Sequence, residues 1–178
     1  MPDTIDVLRA EHKNMARILD LLERQVALFE EAAEPDYELI GQIIDYFRRF
    51  PDLYHHPKEE VVLTCLRKRA PDQAKRIGDL EGDHEGCSDN LQKLTRLVVQ
   101  VLMGEEVSRE TFVREAHEFI ENERRHMRGE EDVFFPIVLQ NLTREDWLAI
   151  DEKVHRFRDP LSEPDKPFRF DLLRKHLQ

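Results

Sequence analysis

Histidine and glutamate recur in this sequence with a spacing that suits metal ligation. Two matched sets are present, and in each a histidine is followed 42 or 43 residues later by a second histidine, which has a glutamate four positions beyond it. The sets are His12, His55 and Glu59, and His84, His126 and Glu130. Side chains four residues apart on an α-helix differ by only about 40° in direction, so each later histidine and its glutamate point the same way.

These groups in one core slice would need a partner of opposite charge. Burying an unpaired charge costs several kcal/mol, and salt bridges within the set leave the charges unbalanced. Nitrogen and carboxylate ligands without thiolate suit iron, manganese or zinc, and one carboxylate from each set could bridge two cations. The pattern therefore predicts a two-metal site. The alternative is a metal-free structural bundle, in which each histidine is a core residue or half of a surface ion pair.

Four amphipathic helices are predicted to carry these residues, because apolar side chains recur along each at steps of three and four. The first helix contains the stripe from Leu8 to Phe29, and the second runs from Asp36 to about residue 69. The third contains the stripe from Ile77 to Val101 and ends near Gly104, and the fourth runs from an N-cap at Ser108 to about Ile137. Each helix has a histidine on its apolar stripe.

Prolines interrupt two of these helices beside the proposed ligands. Pro51 and Pro57 flank His55, and Pro136 follows Glu130. Proline removes a backbone donor and clashes with the preceding turn, so kinks or a short break are expected near His55 and a bend near the end of the fourth helix.

The fold class predicted is an all-α, up-down-up-down four-helix bundle in residues 1–142, with a C-terminal helix and tail in residues 143–178 packed on it. The segment Thr143 to Asp146 resembles a capping box that opens a short fifth helix reaching about Arg158. The remaining tail contains three prolines and is expected to be irregular, with a short helical turn around Leu172.

Composition narrows the class of function. The formal net charge of -11 argues against binding to DNA or RNA, because phosphate backbones attract clustered Lys and Arg. Two cysteines are too few for a disulfide framework, the first residues lack the features of a signal peptide, and no apolar run approaches membrane-spanning length. A cytoplasmic protein without membrane contact is expected.

The motifs together resemble those of the hemerythrin HHE cation-binding family, over roughly residues 5 to 140. The segments that carry the resemblance are Arg9 to His12, His55 to Glu60, Asp83 to Glu85, and His126 to Glu131 with Phe134-Phe135-Pro136. The resemblance implies two iron ions, Fe2+ or Fe3+, in a four-helix bundle. In this scheme one iron is bound by His12 and His55 and the other by His84 and His126, while Glu59, Glu130 and an oxo or hydroxo group bridge them.

One position departs from the oxygen-carrying hemerythrins, which have a further histidine where this chain has Ser88. Its loss would leave an open position on both irons and favour reaction with small oxidants over oxygen transport. Glu123 could fill one vacancy or orient an imidazole. His56 is expected about 100° away from His55, facing a neighbouring helix or solvent, although His56 with Glu60 could exchange roles with His55 and Glu59.

The leading functional expectation is a non-haem di-iron protein that binds or reduces O2, peroxide or NO in sensing or in defence against oxidative or nitrosative stress. Two alternatives stay open. One is an iron-dependent regulatory or interaction module, with a homodimer or an unknown protein as partner. The other is an iron-supplying repair protein, although related repair proteins usually carry an N-terminal segment with cysteine.

Overall fold

The structure is a computed structural model that describes residues 3–31, 33–154 and 170–177. Within these ranges the regular structure is helical, which confirms the all-α prediction. The α-helices are α1 (Asp3–Glu30), α2 (Tyr37–Phe47), α3 (His56–Arg69), α4 (Pro71–Ala74), α5 (Leu80–Leu102), α6 (Arg109–Gly129), α7 (Phe135–Asn141), α8 (Arg144–Val154) and α9 (Asp171–Leu177). None of them is both long enough and apolar enough to cross a membrane.

Local capping explains where several helices begin and end. The Asp36 side chain accepts a hydrogen bond from the Leu39 backbone N–H at the start of α2. Ser108 does the same for the backbone N–H of Thr111 at the start of α6, as predicted. After α5, Gly104 adopts a φ of +74°, a left-handed conformation that glycine reaches without a steric penalty.

Two π-helical turns lie where the prolines predict a disturbance. The first π-turn (Pro51–His55) separates α2 from α3, and the second π-turn (Glu130–Phe134) separates α6 from α7. In both π-turns the N–H that closes the turn belongs to the residue before a proline. The N–H of His56, before Pro57, donates to the carbonyl of Pro51, and the N–H of Phe135, before Pro136, donates to the carbonyl of Glu130. A proline ring clashes with the carbonyl four positions before it, and a wider turn relieves that clash. The expected break near His55 is therefore present.

The bundle is formed by α1, α2 with α3, α5, and α6 with α7, which alternate in direction along the chain. Its apolar interior consists of two clusters of buried side chains. The first core cluster includes Met15, Phe47, Leu94 and Phe119. The second core cluster includes Leu8, Val62, Phe134 and Trp147. Along α1, His12 lies between Leu8 of one cluster and Met15 of the other, so a polar layer separates the two cores.

The C-terminal helices pack on opposite ends of this bundle. The α8 helix joins the second core cluster and begins with the predicted capping box, in which Thr143 and Asp146 exchange hydrogen bonds with each other's backbone N–H groups. The α9 helix confirms the helical turn expected around Leu172 and places Leu173 in the first core cluster. The predicted end of the fifth helix near Arg158 and the irregular tail lie outside the described residues.

Candidate metal centre

The polar layer brings together all six side chains that the sequence pattern selects. They come from every helix of the bundle: His12 from α1, His55 and Glu130 from the two π-turns, Glu59 from α3, His84 from α5 and His126 from α6. The amphipathic stripes direct them inward, and five of the six are buried, His84 being half-buried. They form two groups around the two carboxylates.

The first group contains His12 and His55 with one oxygen of each glutamate. The Nε2 atoms of the two imidazoles lie 3.0 Å apart. His12 Nε2 lies 3.1 Å from Glu130 Oε2, and His55 Nε2 lies 3.1 Å from Glu59 Oε1. These four side chains are each at most 5% exposed, and their ligand atoms lie within 4.8 Å of one another, which is close enough to hold one metal ion.

The second group contains three imidazoles, from His84, His126 and His56, whose ring nitrogens also converge within 4.8 Å. His126 Nε2 lies 3.2 Å from Glu130 Oε1, and His84 Nε2 lies 3.4 Å from Glu59 Oε2. Each glutamate therefore directs one oxygen to the first group and the other oxygen to the second.

The carboxylate oxygens test whether a metal pair fits this arrangement. Glu59 and Glu130 are 0% and 1% exposed, yet none of their four side-chain oxygens accepts a hydrogen bond from any described residue. The Nε2 atoms of His84 and His126 are also buried without a hydrogen bond. Buried polar atoms are rarely left in this condition, and bridging carboxylates with imidazole nitrogens around them are the donor set of a dinuclear centre. The residues fit a metal pair.

Both imidazoles of the first group are held from behind by a carboxylate and a cation. His55 Nδ1 donates to Glu11 at 2.9 Å, and Glu11 also accepts from the ammonium of Lys58, which is only 1% exposed. A hydrogen bond from Nδ1 to a carboxylate fixes the tautomer whose Nε2 lone pair faces the metal position. The sequence analysis missed this role of Glu11 and Lys58. In the sequence, Glu11 is recognisable only as a glutamate directly before His12. That position does not indicate its contacts with His55 and Lys58 across the bundle.

The His12 imidazole has a similar support on the other side. Its Nδ1 lies 3.0 Å from Glu131 Oε1, and Arg9 donates to the other oxygen of Glu131 at 3.0 Å. Glu131 therefore contacts the Nδ1 side of the His12 imidazole, whereas the preceding residue, Glu130, lies on the Nε2 side, within the metal layer.

His56 differs from its expected place outside the site. Its ring stacks on His84 with centroids 3.6 Å apart, and its Nδ1 pairs with Asp52 at 3.2 Å. The expectation assumed regular α-helical geometry, in which His55 and His56 diverge by about 100°. The π-turn ends between these two residues, so His55 reaches the first group and His56 the second.

Glu123 lies beside the second group but is not among its converging ligand atoms. It is 5% exposed and faces the thiol of Cys87, which is also buried. Burial raises the pKa of Glu123 to about 7, and burial likewise raises the pKa of the Cys87 thiol. Glu123 therefore lies at the edge of the second group, where its charge interacts with His84.

The imidazoles of the metal-free layer differ in their electrostatics within the second group as well as between the groups. Burial lowers the pKa of His84, but the carboxylates of Glu130 and Glu59 outweigh it and raise that pKa to about 9. Burial alone lowers the pKa of His55, but the charge of Glu59 and the hydrogen bond to Glu11 outweigh it and raise that pKa to about 10. Burial keeps the pKa of His126 and of His56 below the ordinary value. Protons on imidazoles such as His55 offset the two glutamates without metal, and a bound cation must displace them.

A cleft of about 460 Å³ opens beside the second group. His56, His84, Cys87, Ser88 and Glu123 are among the residues that line it. Ser88 stands at the position where the oxygen-carrying hemerythrins are expected to have a histidine. The second group therefore has a path to solvent. In the first group His55 is only 1% exposed, while a separate cleft of about 470 Å³ reaches His12.

The sequence model of the hemerythrin HHE cation-binding domain matches residues 3–138, which include all six of these side chains. The chain belongs to this family of cation-binding helical proteins. A search of curated proteins and a search of solved structures find no significant match.

Proposed function

We propose that this chain is a cytoplasmic non-haem di-iron protein whose metal pair binds or reduces a small oxidant, namely O2, peroxide or NO, in sensing or stress defence. The observation that carries this proposal is the sharing of both carboxylates between the two groups. Oxygens from one glutamate lie 3.1 Å from an imidazole of the first group and 3.4 Å from an imidazole of the second. Two cations held so close would otherwise repel each other, and shared carboxylates offset that repulsion.

The proposed ligands are His12 and His55 at the first position, His84 and His126 at the second, and Glu59 and Glu130 at both. His56 adds a third imidazole at the second position. It would replace the histidine ligand that is missing because position 88 is a serine. Bound iron supplies a reversible one-electron change and an open position for a small ligand. The protein holds and orients the imidazoles, and the Phe135 ring stacks on that of His12 with centroids 5.5 Å apart.

The donor set favours iron or manganese over zinc. Structural zinc sites are usually tetrahedral with four ligands and contain thiolate in many cases, whereas Cys87 and Cys65 are both absent from the converging groups. Paired carboxylates and imidazoles in a helical bundle are typical of di-iron and di-manganese proteins. Manganese and zinc are therefore the competitors that the experiment must separate from iron.

The test measures metal content and the absorption spectrum of protein purified in air, and then of protein reduced and exposed to O2 or, separately, to NO. About two irons per chain, with near-ultraviolet bands that change on each exposure, would support the proposal. The variant Glu130→Gln keeps the side-chain size and removes the bridging charge, so its metal content should fall. A wild-type protein that binds no metal, or one zinc ion, would overturn the di-iron assignment.

A regulatory or iron-supplying role is the second candidate, and the attachment of α8 favours it. Arg69 at the end of α3 donates two hydrogen bonds of 2.9 Å to Asp146, and Thr4 on α1 donates to Asp151 at 2.5 Å. The α8 helix is thus tied to two helices that carry proposed ligands. Hydrogen exchange in α8 that slows when iron is added would support this candidate, and equal exchange with and without iron would reject it.

A further inference from the structure

The cleft beside the second group is much larger than a diatomic ligand needs. A water molecule occupies about 30 Å³ in the liquid, and O2 or NO is of similar size. The cleft has a volume of about 460 Å³, which lies within the range of pockets that bind small organic molecules. Its size therefore allows a ligand of several carbon atoms beside the proposed metal position.

The walls of the cleft differ in chemistry. Phe47, Pro51 and Leu91 provide apolar surface along one part of the lining. Arg48 and Arg96 also line the cleft, and both are exposed. Such a surface would suit a molecule with an apolar body and a charged end.

The charges of the two arginines are not neutralised by neighbouring carboxylates of the described residues. The formal net charge is -11, and several arginines pair with a nearby carboxylate, as Arg124 does with Glu23 at 2.8 Å. Neither Arg48 nor Arg96 forms an ion pair with a described residue, and the one exposed carboxylate in the lining, Asp52, pairs with His56. Guanidinium groups bind carboxylates through two parallel hydrogen bonds. The cleft thus has two cations available for an anionic ligand.

We propose that this cleft binds a small organic acid, with its carboxylate held by Arg48 and Arg96 and its apolar body against Phe47, Pro51 and Leu91. The far end of the acid then lies toward His56 and His84, where Ser88 leaves space that a histidine would occupy. This proposal extends the proposed function by naming a class of substrate for the same site. The binding step itself rests on the cleft and its charges and does not require metal.

The test is calorimetric titration of the full chain, iron-loaded and metal-free, with benzoate, phenylacetate and succinate, and with benzamide as a neutral match for benzoate. At least one acid is expected to bind about tenfold or more tightly than benzamide, because a charge-assisted hydrogen bond contributes about 1.5–3 kcal/mol. If none of the three acids binds more tightly than benzamide, the proposal is wrong.

Variants locate the binding. Arg48→Gln and Arg96→Gln are each expected to lower the affinity for the acid by about tenfold and to leave the affinity for benzamide unchanged. Arg24→Gln, an exposed arginine outside the cleft, is the control and is expected to change neither. Thr95→Trp, which fills the cleft, is expected to abolish binding of both compounds. Acid binding that survives both arginine substitutions and Thr95→Trp would place the ligand elsewhere and overturn the proposal.

Metal analysis of the same samples separates the two proposals. Iron without arginine-dependent acid binding would reject only the organic-acid proposal. Arginine-dependent acid binding in a chain that takes up no iron would reject only the di-iron proposal.

Discussion

The two imidazole groups share both glutamates but differ in what surrounds them. In the first group, His12 and His55 are 5% and 1% exposed, and each has a carboxylate and a cation behind it. In the second group, the side chains of His84 and His56 are 18% and 16% exposed and border the cleft. The first position is therefore called the closed position and the second the accessible position, after the exposure of their histidines.

The difference indicates a division of roles between the positions. Carboxylates behind metal-binding imidazoles fix ring orientation and increase affinity, so the first position is suited to retain its metal. The accessible second position is suited to exchange its metal or to admit a ligand. The predictions below test this contrast, beginning with the largest expected effect.

Glu59→Gln should remove the feature that the two positions share. The substitution takes a bridging charge from both, so the affinity for both metals should fall by at least about tenfold and their difference should shrink. Metal content after dialysis against a chelator measures the effect. Glu60→Gln is the matched control, because Glu60 is exposed and its contacts are with Thr64 and Arg67 on the surface of the same helix. Retention of one full metal in Glu59→Gln would show that the carboxylate does not serve both positions.

Glu11→Gln should weaken the closed position and the fold together. It removes the carboxylate that holds His55 and leaves the Lys58 ammonium buried without its counter-charge, which should cost about 3–5 kcal/mol of unfolding free energy. Urea unfolding measures the loss. The double variant Glu11→Gln with Lys58→Met should recover much of the stability but not the metal affinity of the first position, which should stay about 10–100-fold lower. Equal recovery of both quantities would contradict a positioning role for Glu11.

His56→Ala should affect the accessible position alone. The loss of one of three imidazoles there should increase the rate of exchange of one metal by about tenfold and leave the other metal unchanged. Exchange with isotopically labelled metal, followed by mass spectrometry, separates the two rates. His117→Ala is the control, because His117 is half-buried and lies near Glu30 away from the site. Two equally accelerated metals would argue against His56 belonging to one position.

Glu123→Gln should change how the stability of the metal-free protein depends on pH. Burial raises the pKa of Glu123 from 4.5 to about 7, so the folded state binds more protons than the unfolded state between these values, and stability falls as pH rises from about 4.5 to 7. Glutamine cannot ionise, so the variant should lose less stability over this interval, by about 1 kcal/mol or more. Urea unfolding at pH 5 and pH 8 provides the comparison. Glu121→Gln, an exposed neighbour, should behave like wild type.

The sequence was sufficient for most of the fold because the features that determine it are local. Apolar periodicity predicted the bundle helices, and side-chain or glycine caps at Asp36, Ser108 and Gly104 predicted several ends. The six side chains on the stripes also meet in the structure, since their spacing repeats in both halves of the chain. Whether they bind metal stays a prediction.

Other parts of the site depend on tertiary contacts that local patterns do not contain. The contact of Glu11 with Lys58 joins residues 47 positions apart, and nothing in either neighbourhood indicates it. The place of His56 follows from the first π-turn. Proline predicts that the helix is disturbed there but not how far the following residues rotate, so a regular α-helical projection placed His56 outside the site.

The polar layer between the two core clusters also has a consequence for cooperativity. Each cluster has its own apolar interior, and α1 passes through both with His12 at the boundary. Two such regions joined by a layer of polar and charged side chains are able to unfold in separate steps, as independent units of a folded protein do. A cation pair bonded to side chains from α1, α3, α5 and α6 would link the two regions. Metal occupancy would then determine whether the molecule melts in one transition or in two.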